Sequence, residues 1–310
     1  ASSLIPPRFG LLIYQLQCER FLTLSDLRST LIWDNAFVLP ELTMPQFIQA
    51  DQMTRIGRAL PFWMSLLLIP VAWLGAVQGG WTVVLLPVVT WYFFTLLDAL
   101  LGLYKDNADP TIEESKLTWY RAITVIWAPV QFVTLFGLIW YVTQMGHLSS
   151  LEKIVLFFGV GVITGTVGIN YSHELMHQKN KTERRLGDLL LAMVLYSHFR
   201  SEHLLVHHRY VGTPRDPVTA RYNEGFHRYF PRVLRQSLVS AFKAEREMLA
   251  RRDLPWTDLS NPFFRYWALQ GAMLLLAFVV GGWAGLGLFL WQAWIAIWQL
   301  ELVNYIEHYG

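Results

Sequence analysis

Six of the nine histidines lie within 36 residues of this 310-residue chain, where an even distribution would place about one. They are His173, His177, His198, His203, His207 and His208. A single histidine on an apolar face is usually a hydrogen-bonded core residue, and we interpret His147, His198 and His227 in that way. The spacing of the others predicts metal binding.

His173 and His177 stand four residues apart in the stretch HELMHQK, so on a helix they share a face and can hold one ion. His203 and His207 repeat this spacing in EHLLVHH. His208 follows at once, and on an α-helix it points about 100° away from His207. One helix can therefore serve two metal ions.

A third element, NYIEHYG, contributes His308 at the end of a long apolar run. Each histidine group has an adjoining carboxylate, namely Glu174, Glu202 or Glu307. Carboxylates next to metal-binding histidines often accept the second N–H of an imidazole and orient its ring, and we predict this role for the three glutamates. Because ionisable groups at membrane depth are costly, the whole cluster indicates a functional site.

The ligand type alone does not identify the metal, because imidazole suits zinc, copper, iron and nickel. HELMH also fits the HExxH signature, in which Glu174 would be the general base of an intramembrane zinc metalloprotease. Such a protease needs one further ligand for one zinc ion, whereas this chain offers four more histidines. The surplus favours two metal ions. A non-catalytic metal or haem carrier is a third hypothesis.

The composition indicates a membrane protein. Hydrophobic residues make up 54% of the chain and charged residues only 15%, whereas a globular domain carries about 25% charge. The net charge of +2 gives no reason to expect a nucleic-acid partner. Cys18 is the single cysteine, which excludes a disulfide framework and a paired-cysteine redox site within this chain.

Uncharged runs of the length that crosses a bilayer occur along the chain. They cover residues 59–77, 81–97, 122–141, 154–170 and 266–300. The last run would be about 52 Å long as one helix, so it must turn, and Gly281-Gly282 is the expected position. We therefore predict an all-α polytopic membrane protein with six transmembrane helices.

The positive residues predict the orientation. Residues 171–262 hold 15 of the 25 lysines and arginines, whereas the turns at 78–81, 143–150 and 281–285 hold none. Because positive loops remain in the cytoplasm, we expect a multi-pass protein of the cell inner membrane with a His-rich cytoplasmic region. Lys105, Lys116 and Arg121 lie on the same predicted side.

Two domains follow from this layout. Residues 51–310 are the predicted transmembrane domain, and residues 1–50 are an N-terminal segment of unknown role. The segment 224–256 mixes aromatic and aliphatic residues with arginine and lysine, which is typical of a helix in contact with lipid headgroups but also of an ordinary solvated basic face.

The three histidine elements resemble those of the membrane-bound alkane 1-monooxygenases, in the histidine-box di-iron superfamily that includes fatty-acid desaturases and xylene monooxygenase. The family patterns are HELxHK, EHxxGHH and NYxEHYG, and the resemblance runs from about Leu60 to Gly310. It includes the stretch TPRDP (213–217). Gln178 and Val206 depart from the family pattern, but neither change removes a histidine.

The resemblance implies that His173, His177, His203, His207, His208 and His308 are iron ligands, and that the cofactor is a pair of non-haem iron ions with O2 as co-substrate. The implied reaction converts the terminal carbon of a medium- to long-chain alkane to a primary alcohol. The family has a further box with three more histidines, LQRHSDHHA. Since this sequence begins with Ala1 and stops at Gly310, we expect a fragment of a longer protein.

Electrons must come from another protein, because the sequence contains no paired-cysteine rubredoxin motif and no GxGxxG motif for flavin or nicotinamide. The resemblance implies rubredoxin and rubredoxin reductase as external donors, and a hydrophobic small molecule from the lipid as substrate. The basic residues of the central loop are a plausible surface for an acidic carrier. They are Arg228, Arg232, Arg235, Arg251 and Arg252.

Overall fold

A computed structural model describes residues 62–93 and 118–309 of the chain. Within these ranges the protein is all helical, with no strand and a single isolated bridge between Ala220 and Tyr309. The predicted all-α class is therefore confirmed. The N-terminal segment 1–50, residues 94–97 of the second uncharged run, Lys105 and Lys116 lie outside the described residues.

Eight helices, numbered in chain order, make up most of the described part of the chain. They are α1 (Met64–Gln78), α2 (Gly80–Tyr92), α3 (Thr118–Gln144), α4 (Ser150–Met176), α5 (Lys181–Met193), α6 (199–210), α7 (Phe226–Ala250) and α8 (Pro262–Glu307). Short π-helical turns interrupt three of them: Val89–Phe93 at the end of α2, Thr164–Ile169 in α4 and His203–His207 in α6.

Three of these helices, α3, α4 and α8, are long and apolar enough to cross a membrane, and α1 and α2 are shorter apolar helices. Helix α8 has 46 residues. Its backbone leaves the helical conformation at Gly282 (φ 60°, ψ −154°). A Cβ atom at Gly285 would lie 2.8 Å from the carbonyl oxygen of Ala277, eight residues earlier, which a straight helix would place about 12 Å away. The chain therefore folds back, and the turn predicted at Gly281-Gly282 is confirmed.

Glycines allow α4 to approach the second half of α8 closely. A Cβ atom at Gly165 would lie 3.0 Å from the Cα and carbonyl oxygen of Ala296, and one at Gly161 would lie 2.7 Å from the carbonyl oxygen of Gln292. Small residues four positions apart are a common way to bring membrane helices together. This contact fixes α4, which carries the first histidine pair, against α8, which leads to His308.

A buried hydrogen-bonded chain reinforces this contact. The Thr164 hydroxyl donates to Gln292 Oε1 at 2.8 Å, and Gln292 Nε2 donates to the carbonyl oxygen of Met193 at 2.8 Å. Both Gln292 amide atoms are therefore satisfied inside an apolar region, where an unpaired amide would be costly. These two hydrogen bonds join helices α4, α5 and α8 through the side chain of Gln292.

Helix α5 packs on the histidine-bearing end of α4. Ser172 Oγ donates to the carbonyl oxygen of Gly187 at 2.9 Å, and a Cβ atom at Gly187 would lie 3.2 Å from the Ser172 carbonyl oxygen. The next residue, Asp188, is 1% exposed and accepts from Arg200 Nη1 at 2.7 Å, while Arg265 lies 3.0 Å from its other oxygen. One buried carboxylate thus joins α5, α6 and α8.

We predict that Gly165→Ala lowers the free energy of unfolding by about 1–3 kcal/mol, because the added methyl group would press on the backbone of α8. Gly271→Ala is the matched control, since a Cβ atom there meets nothing within 4 Å. Thermal unfolding of both variants in the same detergent measures the difference. Equal stability of the two variants would show that the α4–α8 contact is looser than described.

Candidate metal centre

Three segments bring the predicted metal-binding histidines to one place in the structure. His173 and His177 lie at the end of α4, the next three histidines lie in α6, and His308 follows the last residue of α8. His173 and His203 are buried, with 5% and 8% exposure. The rings therefore gather where α4 and α8 end, with His173 and His203 away from water and His208 exposed.

Four imidazoles form a tight cluster, and one nitrogen of each lies within 4.8 Å of the corresponding nitrogen of the others. They are His173, His177, His203 and His208. His203 is central, because its Nε2 lies 2.8 Å from His173 Nε2 and 2.9 Å from His208 Nε2. A donor set of neutral nitrogens converging on one point suits a first-row transition metal.

The π-helical turn of α6 determines which histidines form this cluster. In a π-helix residue i bonds to residue i+5, so His208 comes level with His203. The sequence spacing predicted that His203 and His207 would hold one ion. The structure instead groups His203 with His208, although the His207 ring still stacks on His203 with centroids 5.2 Å apart. The predicted divergence of His207 and His208 is present.

His207 belongs to a second group. Its ring centroid lies 4.8 Å from that of His308, and its Nδ1 lies 3.0 Å from Asp216 Oδ2. Asp216 is 2% exposed and also accepts from Thr219 Oγ1 at 2.7 Å. Because a carboxylate only accepts when ionised, Nδ1 of His207 carries the proton, and Nε2 keeps the lone pair that a metal ion needs.

The loop that carries Asp216 is fixed to both neighbouring helices. The hydroxyl of Tyr229 in α7 donates to the carbonyl oxygen of Val218 at 3.0 Å. The Ala220 amide donates to the carbonyl oxygen of His308 at 3.0 Å. The loop, Asp216 and His308 are therefore held in register with each other, which places Asp216 against His207.

Burial favours the uncharged form of four of the six rings. It lowers the pKa of His177 to about 3 and the pKa of His208 to about 4, with neighbouring imidazoles adding to the effect. Burial and the nearby His207 lower the pKa of His308 to about 4, and the pKa of His203 is also well below its usual value. Neutral imidazole is the form that binds metal, so the site needs no deprotonation at neutral pH.

The three glutamates predicted to orient the imidazoles lie in different surroundings. Glu174 Oε1 is 3.8 Å from His173 Nδ1, beyond hydrogen-bonding distance. Glu202 is fully buried, and neither of its carboxylate oxygens has a hydrogen-bond partner among the described residues. Glu307 is half-buried. The carboxylate that does contact a predicted metal-binding imidazole at hydrogen-bonding distance is Asp216, which meets His207 and was not predicted from the sequence.

A second carboxylate that the sequence analysis missed anchors the end of α8. Glu301 is 1% exposed and accepts hydrogen bonds from Tyr196 OH at 2.7 Å and Asn304 Nδ2 at 3.2 Å, and its Oε2 lies 3.2 Å from Tyr229 OH. Glu301 is the first charged residue after the uncharged run 266–300, and this position in the sequence could have indicated its structural role. The contacts tie the element that carries His308 to α7 and to the segment before α6.

The chain is similar in sequence to known proteins. Residues 150–310, which include every histidine of the cluster, match the family model described as fatty acid desaturase. The chain is 30% identical to alkane 1-monooxygenase 1 of Alcanivorax borkumensis over 281 residues, which cover 87% of this chain and 68% of that protein. The chain belongs to the alkane 1-monooxygenase family. Membership of this family agrees with the histidine geometry, because residues 150–310 contain all three histidine elements.

Two further members of the alkane 1-monooxygenase family come from Pseudomonas aeruginosa. Alkane 1-monooxygenase 2 is 30% identical over 82% of this chain, and alkane 1-monooxygenase 1 is 32% identical over 69% of it. The chain spans 66% and 57% of the lengths of these two relatives.

We predict that Asp216→Asn weakens metal binding about 10- to 100-fold, because the amide no longer fixes the proton of His207 on Nδ1. The measurement is the metal retained by the purified full-length protein during titration with a chelator. Glu307→Gln is the matched control, since its carboxylate makes no hydrogen bond with the described residues. A similar loss in both variants would show that Asp216 has no particular effect on His207.

Proposed function

We propose that this protein hydroxylates the terminal carbon of medium- to long-chain alkanes, using O2, at a non-haem di-iron centre. The observation that carries the proposal is the convergence of six imidazoles at the ends of apolar helices, in a chain of the alkane 1-monooxygenase family. The comparisons give no support to an intramembrane zinc protease or to a non-catalytic metal or haem carrier. A cluster with more histidines than one ion requires also favours two metals.

The described residues fit such a centre. One iron ion would be held by His173, His177, His203 and His208, and His207 and His308 would contribute to the second. When bound, the iron ions supply the redox chemistry that activates O2. Imidazole alone does not select iron over zinc or copper, so family membership decides between them here.

The protein contributes a preorganised site that is buried around His173 and His203 and open at His208. Phe199 stacks on His203 with centroids 5.2 Å apart, and Val206 is 6% exposed, so apolar groups cover the α6 side of the cluster. Excluding water protects a reactive oxidant from side reactions. The Asp216 contact fixes the ring orientation of His207, and burial favours the neutral form of His177, His203, His208 and His308.

The location of the site suits an apolar substrate. His173 lies at the end of α4, a helix apolar enough to cross a membrane, so an alkane can reach the cluster from the hydrocarbon region. Burial of a long chain contributes about 0.8 kcal/mol per CH2 relative to water, which makes polar contacts unnecessary for binding. In the balanced reaction, the alkane, O2, two electrons and two protons give a primary alcohol and water.

We further propose the topology that the positive-residue distribution predicts. Helices α1 and α2, α3 and α4, and the two halves of α8 would form three hairpins with six crossings of the cell inner membrane. The histidine cluster would then lie on the cytoplasmic side, next to the arginine-rich segment 171–262. This side is also where a soluble electron carrier and its reductase would meet the protein.

Rubredoxin, supplied with electrons by rubredoxin reductase, is the proposed donor. Arg228 and Arg235 are exposed on α7 and can attract an acidic carrier, as can Arg251 and Arg252 just beyond it. Arg232 cannot take part in the same way. It is largely buried, and its guanidinium donates to both carboxylate oxygens of Glu224 at 2.7 and 2.6 Å.

The proposal predicts that membranes containing the full-length protein convert octane to 1-octanol in the presence of O2, rubredoxin, rubredoxin reductase and a nicotinamide reductant. His203→Ala should abolish this conversion, because His203 is the central ring of the cluster. His227→Gln should retain it, because His227 is exposed, contrary to the core position predicted from the sequence, and lies outside the cluster. Gas chromatography of the product gives the answer, and octanol formation by His203→Ala at the wild-type rate would refute the assignment.

Reversing the charge of Arg228 and Arg235 to glutamate should raise the apparent KM for rubredoxin several-fold, with little change in turnover at saturating carrier. The effect should diminish at high salt because the attraction is screened. Arg232→Glu should instead destabilise the fold, since it breaks a buried ion pair. Steady-state kinetics at two ionic strengths test this, and unchanged carrier kinetics would remove α7 as the docking surface.

A further inference from the structure

Helix α7 lies against both ends of the folded-back helix α8. Near the start of α7, Tyr229 OH lies 3.2 Å from Glu301 Oε2, and later in α7 the Phe242 ring centroid lies 5.0 Å from that of Phe263. Phe263 and Glu301 are each 19 residues from Gly282, where α8 turns back, so they lie at a similar depth. The two contacts are 13 residues apart in α7, or about 20 Å. Because α8 is apolar enough to cross a membrane, α7 runs along the membrane surface rather than through the bilayer.

Large apolar side chains project outward where α7 leads into α8. Residues 251–267, which join the two helices and begin α8, are called the α7–α8 corner below. Within it Leu259 is 89% exposed, and Trp256 and Trp267 are 47% and 50% exposed. Asn261 caps α8 and also donates to the carbonyl oxygen of Trp256 at 2.8 Å, which fixes this loop at the start of α8. Tryptophans at the end of a membrane-crossing helix are typical of the level where lipid headgroups meet hydrocarbon.

Ring contacts hold both tryptophans in place. The Trp256 centroid lies 5.9 Å from that of Phe242, and the Trp267 centroid lies 5.8 Å from that of Phe263. Phe242 and Phe263 contact each other edge to face, so one row of four rings joins α7 to α8. The outward surface is therefore formed before any ligand binds, which reduces the entropy lost on binding.

The same corner presents positive charge beside these apolar groups. Arg251 and Arg252 directly follow α7 and are exposed, and neither guanidinium has a hydrogen bond or ion pair among the described residues. The corner carries three arginines and two aspartates, and one aspartate, Asp258, accepts from the amide and hydroxyl of Ser260. Guanidinium groups bind phosphate oxygens well, since the fork of N–H donors matches them in geometry.

We propose that the α7–α8 corner binds the headgroup of an anionic phospholipid. Arg251 and Arg252 contact the phosphate, and Trp256 and Leu259 enter the boundary between headgroups and acyl chains. A zwitterionic headgroup brings its own cation to the arginines, so an anionic lipid such as phosphatidylglycerol binds more tightly. The proposal uses no residue of the imidazole cluster and does not depend on the proposed reaction. It leaves Arg228 and Arg235 free for an electron carrier.

The first measurement locates the corner relative to the lipid. A fluorophore is attached to Leu259→Cys or to Tyr222→Cys, in full-length protein whose other cysteines are replaced by serine. The two positions are matched, since their side chains are 89% and 90% exposed, but Tyr222 lies in the loop before α7. In nanodiscs that contain lipid with a nitroxide near the headgroup, we expect quenching at position 259 to be several-fold stronger than at position 222.

The second measurement tests the preference for lipid charge. Phosphatidylglycerol added to phosphatidylcholine nanodiscs should raise the Tm of the wild-type protein, because a ligand bound to the folded state stabilises it. The double variant Arg251→Gln/Arg252→Gln should lose roughly half of this rise or more. Arg228→Gln/Arg235→Gln removes the same charge from the exposed face of α7 and should keep the rise. High salt should reduce the rise in both proteins that show it.

Three results would overturn the proposal. Equal and weak quenching at positions 222 and 259 would show that the corner faces water and is open to a soluble partner. No rise in Tm with phosphatidylglycerol would exclude a preference for anionic lipid. An equal loss of the rise in both double variants would show a general effect of positive charge instead of a site at Arg251 and Arg252. Octane hydroxylation assays on the same preparations test the proposed function separately.

Discussion

The structure depends on one constraint, which is that several uncharged imidazoles must stay close together in a largely buried cluster. Four ring nitrogens within 4.8 Å of each other leave no space for protonated rings, because like charges at this distance in a dry site would repel strongly. Facing lone pairs are equally unfavourable unless a proton or a metal ion lies between them. The rest of the fold holds the imidazoles together against the repulsion between charged rings and the repulsion between facing lone pairs.

The packing of the apolar helices provides that rigidity. Gly161 and Gly165 let α4 approach the backbone of α8, and Gly187 lets α5 lie on the histidine-bearing end of α4. Buried polar contacts then fix the registers, with Asp188 joining α5, α6 and α8, and Glu301 holding the end of α8. Because these contacts fix the helices that carry the histidines, small shifts of a helix would move the metal-binding nitrogens.

The sequence predicted the helical class, the fold-back at Gly281-Gly282 and the convergence of the three histidine elements. These features follow from long-range patterns of charge and from the chemistry of imidazole, which a sequence displays directly. The four-residue spacing of His203 and His207 could not predict the π-helical turn in α6. The i+5 pairing of His203 with His208 depends on how α6 packs. The same limit explains why Asp216, nine residues from His207, was missed while adjacent glutamates were assigned. Nearness in sequence was a poor guide to which carboxylate meets which ring.

The iron content of the full-length protein tests the central claim most directly. The account predicts two iron ions and no stoichiometric zinc per chain, measured by inductively coupled plasma mass spectrometry on protein purified without added metal or chelator. A cluster that binds a pair of iron ions requires two iron ions per chain. A single zinc ion per chain, or no bound transition metal, would contradict it.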